Sequence, residues 1–386
     1  MKKRLESLDV LRGADLFFLV ALGPIINSLA SAANSEWLNR GMWIFRHVEW
    51  EGFAPWDIIM PLFMFMAGAT IPFALARYRK DCDTATADNK GKALWRIAKR
   101  VVLLWIFGMM CQGNLLALDP NRIYLYTNTL QAIAVAYAIA ALMFLFTRLR
   151  TQIITAVLLL LAYWAAMEWV EVVIGNVSLE KFGGGDYSPE HNLAEWIDRE
   201  VLGRFRDHAV VENGEIIWKS WYHYTWILSS LTFGVTGLCG MFAGRIAKST
   251  MDEKKKLYWF FGAGIAMVIV AKIWGIWMPI IKTIWTSSMA LFAAGISFIL
   301  LGICYYLIDY KGYRKGVTWL KVYGMNSIAA YMLTSIINFN GIAHSLFFGL
   351  EQYMGAYYNV LITLSQVGII YLILWAMYRK GIFLKA

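Results

Sequence analysis

The sequence predicts an all-α polytopic membrane protein with about ten transmembrane helices, and three observations lead to that reading. Of its 386 residues, 59% are hydrophobic and only 16% are charged, whereas a soluble domain carries roughly 25% charged residues. The apolar residues gather in runs long enough for a helix to cross the hydrocarbon core of a bilayer. The basic residues sit in short clusters between those runs. Such clusters signal topology, so the net charge of +10 does not point to nucleic acid as a partner.

The apolar runs place spans at about 14–33, 55–76, 100–118, 128–147, 152–174, 225–244, 258–280, 284–308, 318–337 and 358–378. The first run imitates a secretory signal, with a basic start and small residues near its end. Glu6, Asp9 and Asp15 load its front with acids, however, and Arg12 lies just before the apolar stretch. An uncleaved first span is therefore expected. An even number of spans puts both termini on one side. Of the 36 basic residues, 26 fall in the termini and loops of that side and 8 in the opposite loops. The positive-inside rule then makes both termini cytoplasmic.

The chain reads as one integral-membrane domain over 1–386, with an outer-loop insertion at about 175–224. In that insertion Gly183-Gly184-Gly185 marks a flexible turn. The stretch 191–205 has apolar residues at helical spacing, which predicts a short helix on the outer surface. Trp218, Trp221, Tyr222 and Trp226 follow, as aromatic anchors at the interface or as faces on which a sugar ring stacks. Cys82, Cys111, Cys239 and Cys304 are too widely spaced for a zinc site or a disulfide framework, and no metal is expected.

Chemistry gathers between Arg46 and Phe73. His47 lies beside Glu49 and Glu51, with Trp50 and Trp56 around it, and Asp57 opens the second span. An imidazole is the usual general base near neutral pH. Asp57, two residues after Pro55, also suits a helix start, where a carboxylate offsets the helix dipole. Ionisable groups within spans are functional candidates by default. Asp15 follows Arg12 by one helical turn, which predicts a local ion pair. Glu168 and Glu171 lie one turn apart at the outer end of the fifth span. Lys282 opens the eighth, where a lysine snorkels to the interface. Asn128 with Gln131, and Asn326 with Ser327, are amide and hydroxyl groups suited to bridging helices or lining a cavity. The sequence contains no phosphate loop, nucleophile elbow or metal-ligand spacing.

Several segments, in order from end to end, carry a family resemblance. The opening holds Arg4, Ser7, Asp9, Arg12 and Gly13. The His47 segment holds His47, Trp50, Gly52, Asp57, Pro61, Phe63, Phe65 and Gly68. LQAIAVAY (130–137), FAGRIAK (242–248), KTIWTSSMALFAAG (282–295), VYGMNSIAAY (322–331) and YRKGIF (378–383) follow. Together these resemble the heparan-α-glucosaminide N-acetyltransferase family and its bacterial relatives.

The resemblance implies a multi-pass protein of a bacterial inner membrane that moves an acetyl group from cytosolic acetyl-CoA to a glucosamine-type amine on the outer side. It implies His47 as the catalytic residue, oriented by Asp57 or a loop carboxylate, acting as general base or as a transient acetyl carrier. Asn27 stands nearest to the family's partner asparagine. Arg12, Gln131, Lys282, Trp285, Ser287, Ser288 and Asn326 fall in segments expected to hold the donor. Glu49, Trp50, Trp221 and Tyr222 are placed towards an amino-sugar or glycan acceptor. A homodimer follows from the resemblance alone. The sequence departs from the family pattern at Ala132 and over His223–Trp226. Two other readings stand beside this one: a sugar permease or binding protein without acyl transfer, and an O-acetyltransferase of surface glycans.

Overall fold

The computed structural model describes residues 5–79, 87–113, 123–175, 180–207, 209–218 and 224–384. It is built almost wholly of helices. Among the described residues, eight helices are long and apolar enough to cross a membrane: Glu6–Ala33, Pro55–Tyr78, Thr129–Phe146, Leu149–Trp169, Ser230–Lys248, Glu253–Trp274, Ser287–Tyr310 and Phe339–Arg379. The last of these includes two short helices, Phe339–Phe347 and Glu351–Met354, ahead of the expected span, which forms Tyr358–Arg379.

Two expected spans take other forms. Of the run at 100–118, the part up to Cys111 is the apolar end of a longer helix, Ala87–Cys111, whose first half is charged, and 114–118 lie outside the described residues. The run at 318–337 is split at Asn326 into Thr318–Met325 and Ser327–Ile336.

The chain packs as two compact units. The first comprises Met1–His47, Ala54–Ile59 and Leu300–Ala386, and the second Val48–Phe53 and Met60–Ile299. In the first unit the opening helix and Thr318–Met325 cross at two glycines. An added Cβ at Gly13 would lie 1.9 Å from the Leu320 carbonyl oxygen, and one at Gly324 1.9 Å from that of Asp9. Small residues let membrane helices approach this closely, where dispersion contacts replace the hydrophobic drive that lipid removes. Phe17 closes the crossing edge-on against Trp319 at 4.8 Å. We expect Gly324→Ala to force the helices apart at a cost of about 3 kcal/mol. Gly368→Ala, where nothing lies within 4 Å, is expected to leave stability unchanged. Thermal unfolding in detergent compares the two, and equal midpoints would contradict the crossing.

The second unit repeats the device along one seam. Gly240 and Gly244 abut the carbonyls of Phe65 and Ala69, and Gly68 abuts that of Gly237. Its insertion contains the expected helix, Leu193–Leu202, started by Asn192, whose side chain accepts the Glu195 N–H at 2.8 Å. The helix does not simply lie on the surface: Leu193, Ala194, Glu195, Asp198 and Leu202 are buried. Glu195 binds Arg199 and the buried Arg206. Asp198 accepts the Trp226 and Ile227 N–H groups at 2.7 and 2.9 Å. Burial pushes the Asp198 carboxyl up to about 7, against the opposing pull of those bonds and of Arg206.

Two antiparallel hairpins, Glu171–Ile174 with Glu180–Gly183 and Ala209–Glu212 with Glu215–Trp218, were not expected. The first corrects the fifth span. Its helix ends at Trp169, and the β-branched run Val172-Val173-Ile174 turns extended. Glu171 is therefore a strand residue, paired with Lys181 at 3.0 Å. Gly183, Gly184 and Gly185 form the expected turn, all with positive φ.

Candidate functional site

The chain reaches the site through a short 3-10 turn, Met42–Phe45, and turns extended at Arg46. A second 3-10 turn, Pro55–Ile58, opens the second long helix. Pro55 fixes the first position of that turn, where its missing N–H costs nothing. Asp57 then folds back on its own start, its Oδ2 accepting the Ala54 N–H at 2.9 Å. The other oxygen, Oδ1, lies 2.6 Å from His47 Nδ1. The Asp57 side chain is 2% exposed and the His47 side chain 42%. The carboxylate is thus fixed by two partners while the imidazole remains reachable. Nδ1–H donates to Asp57, which leaves Nε2 with a lone pair.

An aromatic group supports the pair. Trp56 meets the His47 ring edge-on at 6.5 Å, and Phe18 and Phe45 lie 5.2 and 6.1 Å from Trp56. Phe18 opens a π-helical turn, Phe18–Leu22, in the first span. Such turns re-aim side chains and are frequent at functional sites. Gly23 follows, and a Cβ there would lie 2.3 Å from the Trp56 ring.

Of the other residues expected here, the structure brings none onto the pair by a described bond. Asn27 is exposed, and its carbonyl accepts the Ser31 hydroxyl. Glu49 and Glu51 are exposed too, and Glu51 bridges Ile281 through its backbone. Between a loop carboxylate and Asp57 as the group that orients His47, the geometry selects Asp57. The expected Arg12–Asp15 pair is replaced by Arg12–Asp9, at 3.9 Å. Asp15 is buried, and one of its carboxylate oxygens has no hydrogen-bond partner.

The residues expected at the donor are engaged elsewhere. Gln131 caps the helix Thr129–Phe146, accepting the Thr127 and Asn128 N–H groups and donating to the Leu125 carbonyl. Asn326 clamps the C-terminal tail, donating to the Ile382 carbonyl and accepting the Leu384 N–H, each at 3.1 Å. Ser287 donates to the Leu160 carbonyl and Ser288 to that of Pro279. These side chains cap and clamp backbone.

Lys282 precedes the helix that starts at Ser287. It is buried, with Nζ 5.7 Å from the centroid of the Tyr224 ring, so it does not snorkel. Trp285 is fully buried with φ at +49°. That conformation costs a bulky residue about 1–3 kcal/mol and persists only where its surroundings over-determine it. Here they do: Phe233 stands edge-on at 4.8 Å, and the Trp285 carbonyl accepts the Thr232 hydroxyl. The neighbouring Ile284 carbonyl accepts the Ser229 and Tyr163 hydroxyls.

On the acceptor side, Trp50 donates its indole N–H to the Tyr187 carbonyl at 2.8 Å, and Tyr187 in turn binds Glu168 at 2.8 Å. Sequence reasoning did not find Tyr187. Burial and the Glu168 carboxylate push its hydroxyl pKa up. Trp221 and Tyr222 lie outside the described residues. Trp226 is a core residue between Tyr126 and Phe233, neither an interfacial anchor nor an open platform.

Fold and site together define a polytopic membrane protein with a reachable imidazole held by a buried carboxylate. The chain is similar to the heparan-alpha-glucosaminide N-acetyltransferase of Homo sapiens, 26% identical over 85% of this chain and 52% of that protein. The protein of the same name from Mus musculus is 25% identical over 85% of this chain and 53% of its own length. Both relatives bear the name of the family that the sequence motifs resemble. The chain spans about half the length of these curated relatives. No family model matches it.

Proposed function

We propose that this protein transfers an acetyl group across a bacterial inner membrane, from acetyl-CoA on the cytosolic side to the amine of a glucosamine-type sugar on the outer side. In this reading both termini are cytoplasmic. The observation that carries it is the 2.6 Å bond from His47 Nδ1 to a buried, doubly held Asp57. The names of the two relatives supply the reaction class.

The chemistry follows from that bond. A sugar amine is protonated near neutral pH and then has no lone pair with which to attack a thioester. His47 Nε2 removes the proton, and Asp57 stabilises the imidazolium that forms. The freed nitrogen attacks the thioester carbonyl, the C–S bond breaks, and the thiolate leaves, taking up the second proton that the nitrogen gives up as the amide forms. The protein's part is orientation, a correctly placed base and a fixed counter-charge.

The test uses proteoliposomes with acetyl-CoA on one side and glucosamine on the other. Release of free CoA, coupled to N-acetylglucosamine in the opposite compartment, is the expected result. Sugar uptake without acetyl-CoA would replace this reading with a permease. A product acetyl group lost in mild base would show ester rather than amide formation.

A further inference from the structure

The insertion of the second unit holds a cluster of ionisable groups that the His47 chemistry does not use. Glu195, Asp198 and Asp207 supply three carboxylates, and Arg199 and Arg206 two guanidinium groups. Glu195 takes both arginines, one on each oxygen. Asp198, fully buried, gives its oxygens to the Trp226 and Ile227 N–H groups instead. Asp207 stands beside the Trp226 indole. The Arg206 Nε is buried with no hydrogen-bond partner among the described residues. The hydroxyls of Tyr126 and Tyr163 also lie within reach of the Asp198 charge, and they are bound to Ser230 and to the Ile284 carbonyl.

With every member ionised, three negative charges stand against two positive ones. The interior screens the surplus poorly, and a proton on one carboxyl removes it. Burial pushes Asp207 up to about 6, below Asp198 at about 7, and Arg206 is the counter-charge that pulls against both shifts. The closed cluster therefore holds a proton more tightly than the same carboxyls do once water reaches them. Closure is favoured in acid. It weakens as the pH rises from the ordinary carboxylate range, about 4, to about 7, where the closed form loses its own proton, and it levels off above.

What the cluster fastens is the entry to the helix Ser230–Lys248. Around Trp226 and Ile227, Thr225 donates its N–H to the Thr283 carbonyl at 3.1 Å, and Ser229 and Thr232 hold the Ile284 and Trp285 carbonyls. Trp285 keeps its left-handed backbone only while such neighbours fix it, so this turn is the element that yields when its support loosens. We infer that Asp198 and Asp207 form a proton-operated latch, which fastens the insertion to the start of the helix Ser230–Lys248 and through it holds the turn at Trp285. In the proposed topology the insertion faces the outer compartment and the latch responds to acidity there, but the latch itself does not depend on that topology.

The full chain in lipid nanodiscs is followed by amide hydrogen exchange, with rates corrected for the intrinsic effect of pH on exchange. Protection of the Trp226 and Ile227 amides is expected to fall about tenfold or more between about pH 5 and pH 8. That of the Trp285 and Thr286 amides is expected to fall with it. Asp207→Asn removes the surplus charge without touching the bonds to Trp226 and Ile227, so these amides should stay protected over the whole range. Asp198→Asn leaves one acceptor for two N–H groups and no charge to titrate, so they should exchange fast at every pH. Glu200→Gln, on the exposed side of the same helix, should keep the parent's dependence. Should Asp198→Asn fail to fold, Asp207→Asn decides the question.

Protection in the parent that does not change with pH, or a dependence that survives Asp207→Asn, overturns the inference. A change at Trp226 and Ile227 that leaves Trp285 and Thr286 protected overturns the hold on that turn. The readout is exchange and not turnover, so its failure leaves the acetyl-transfer reading standing.

Discussion

His47→Ala is expected to lower acetyl-CoA-dependent acetylation of glucosamine by about a thousandfold, the range over which a positioned general base acts. The loss should appear in kcat, because the imidazole does its work as the amine begins to attack. The His47 side chain is 42% exposed and packs against Trp56 by an edge. Truncation therefore removes little buried surface, and the variant should unfold at nearly the parent temperature. The opening left behind is reachable, so added imidazole should restore part of the rate, with a dependence on pH set by imidazole itself. In the proposed reading the histidine takes a proton and not the acetyl group, so acid quenching during turnover is expected to trap no acetylated protein. Turnover by the alanine variant at the parental rate would remove His47 from the mechanism. A trapped acetyl-histidine would convert the base into a nucleophile.

The helices were legible because bilayer thickness leaves them little choice: a run such as Thr129–Phe146 has no stable alternative in lipid. The site was legible only in part. Three carboxylates lie within ten residues of His47, and sequence distance favours Glu49 and Glu51. Asp57 wins because a 3-10 turn folds it back onto Ala54, a matter of backbone geometry that spacing does not report.

The polar residues of KTIWTSS and GMNS looked like a lined passage for the opposite reason. A buried hydroxyl or amide reads the same whether it awaits a ligand or satisfies a carbonyl, and here Ser287, Ser288 and Asn326 satisfy backbone. One feature was available and overlooked. Asn213-Gly214, between Ala209–Glu212 and Glu215–Trp218, is the two-residue turn most favoured in hairpins, and both residues have positive φ. The left-handed Trp285 had no such signal, since nothing in its neighbours asks for that conformation.

Asp57→Asn is expected to cost about as much activity as losing the base, with almost no loss of stability, and the reason lies in Ala54. The Ala54 N–H needs an acceptor, which fixes the orientation of an amide at position 57. The side-chain oxygen must face Ala54, so the NH2 group must face His47. An NH2 donor there bonds Nδ1 only when that nitrogen is unprotonated, which drives the proton to Nε2 and leaves no lone pair towards the acceptor. The helix start keeps its cap and the imidazole keeps its place, but the tautomer is wrong. Asp57→Ala makes a distinguishable contrast. It loses the cap, at a cost of about 1 kcal/mol, yet imposes no tautomer, so a fraction of His47 remains competent. The alanine variant should therefore unfold earlier and still turn over faster than the asparagine variant. Nitrogen chemical shifts of His47 should show the Nδ1–H form in the parent and the Nε2–H form in Asp57→Asn. An asparagine variant that matches the parent rate, or that carries the parent tautomer while inactive, would show that Asp57 acts on His47 in some other way than by placing its proton.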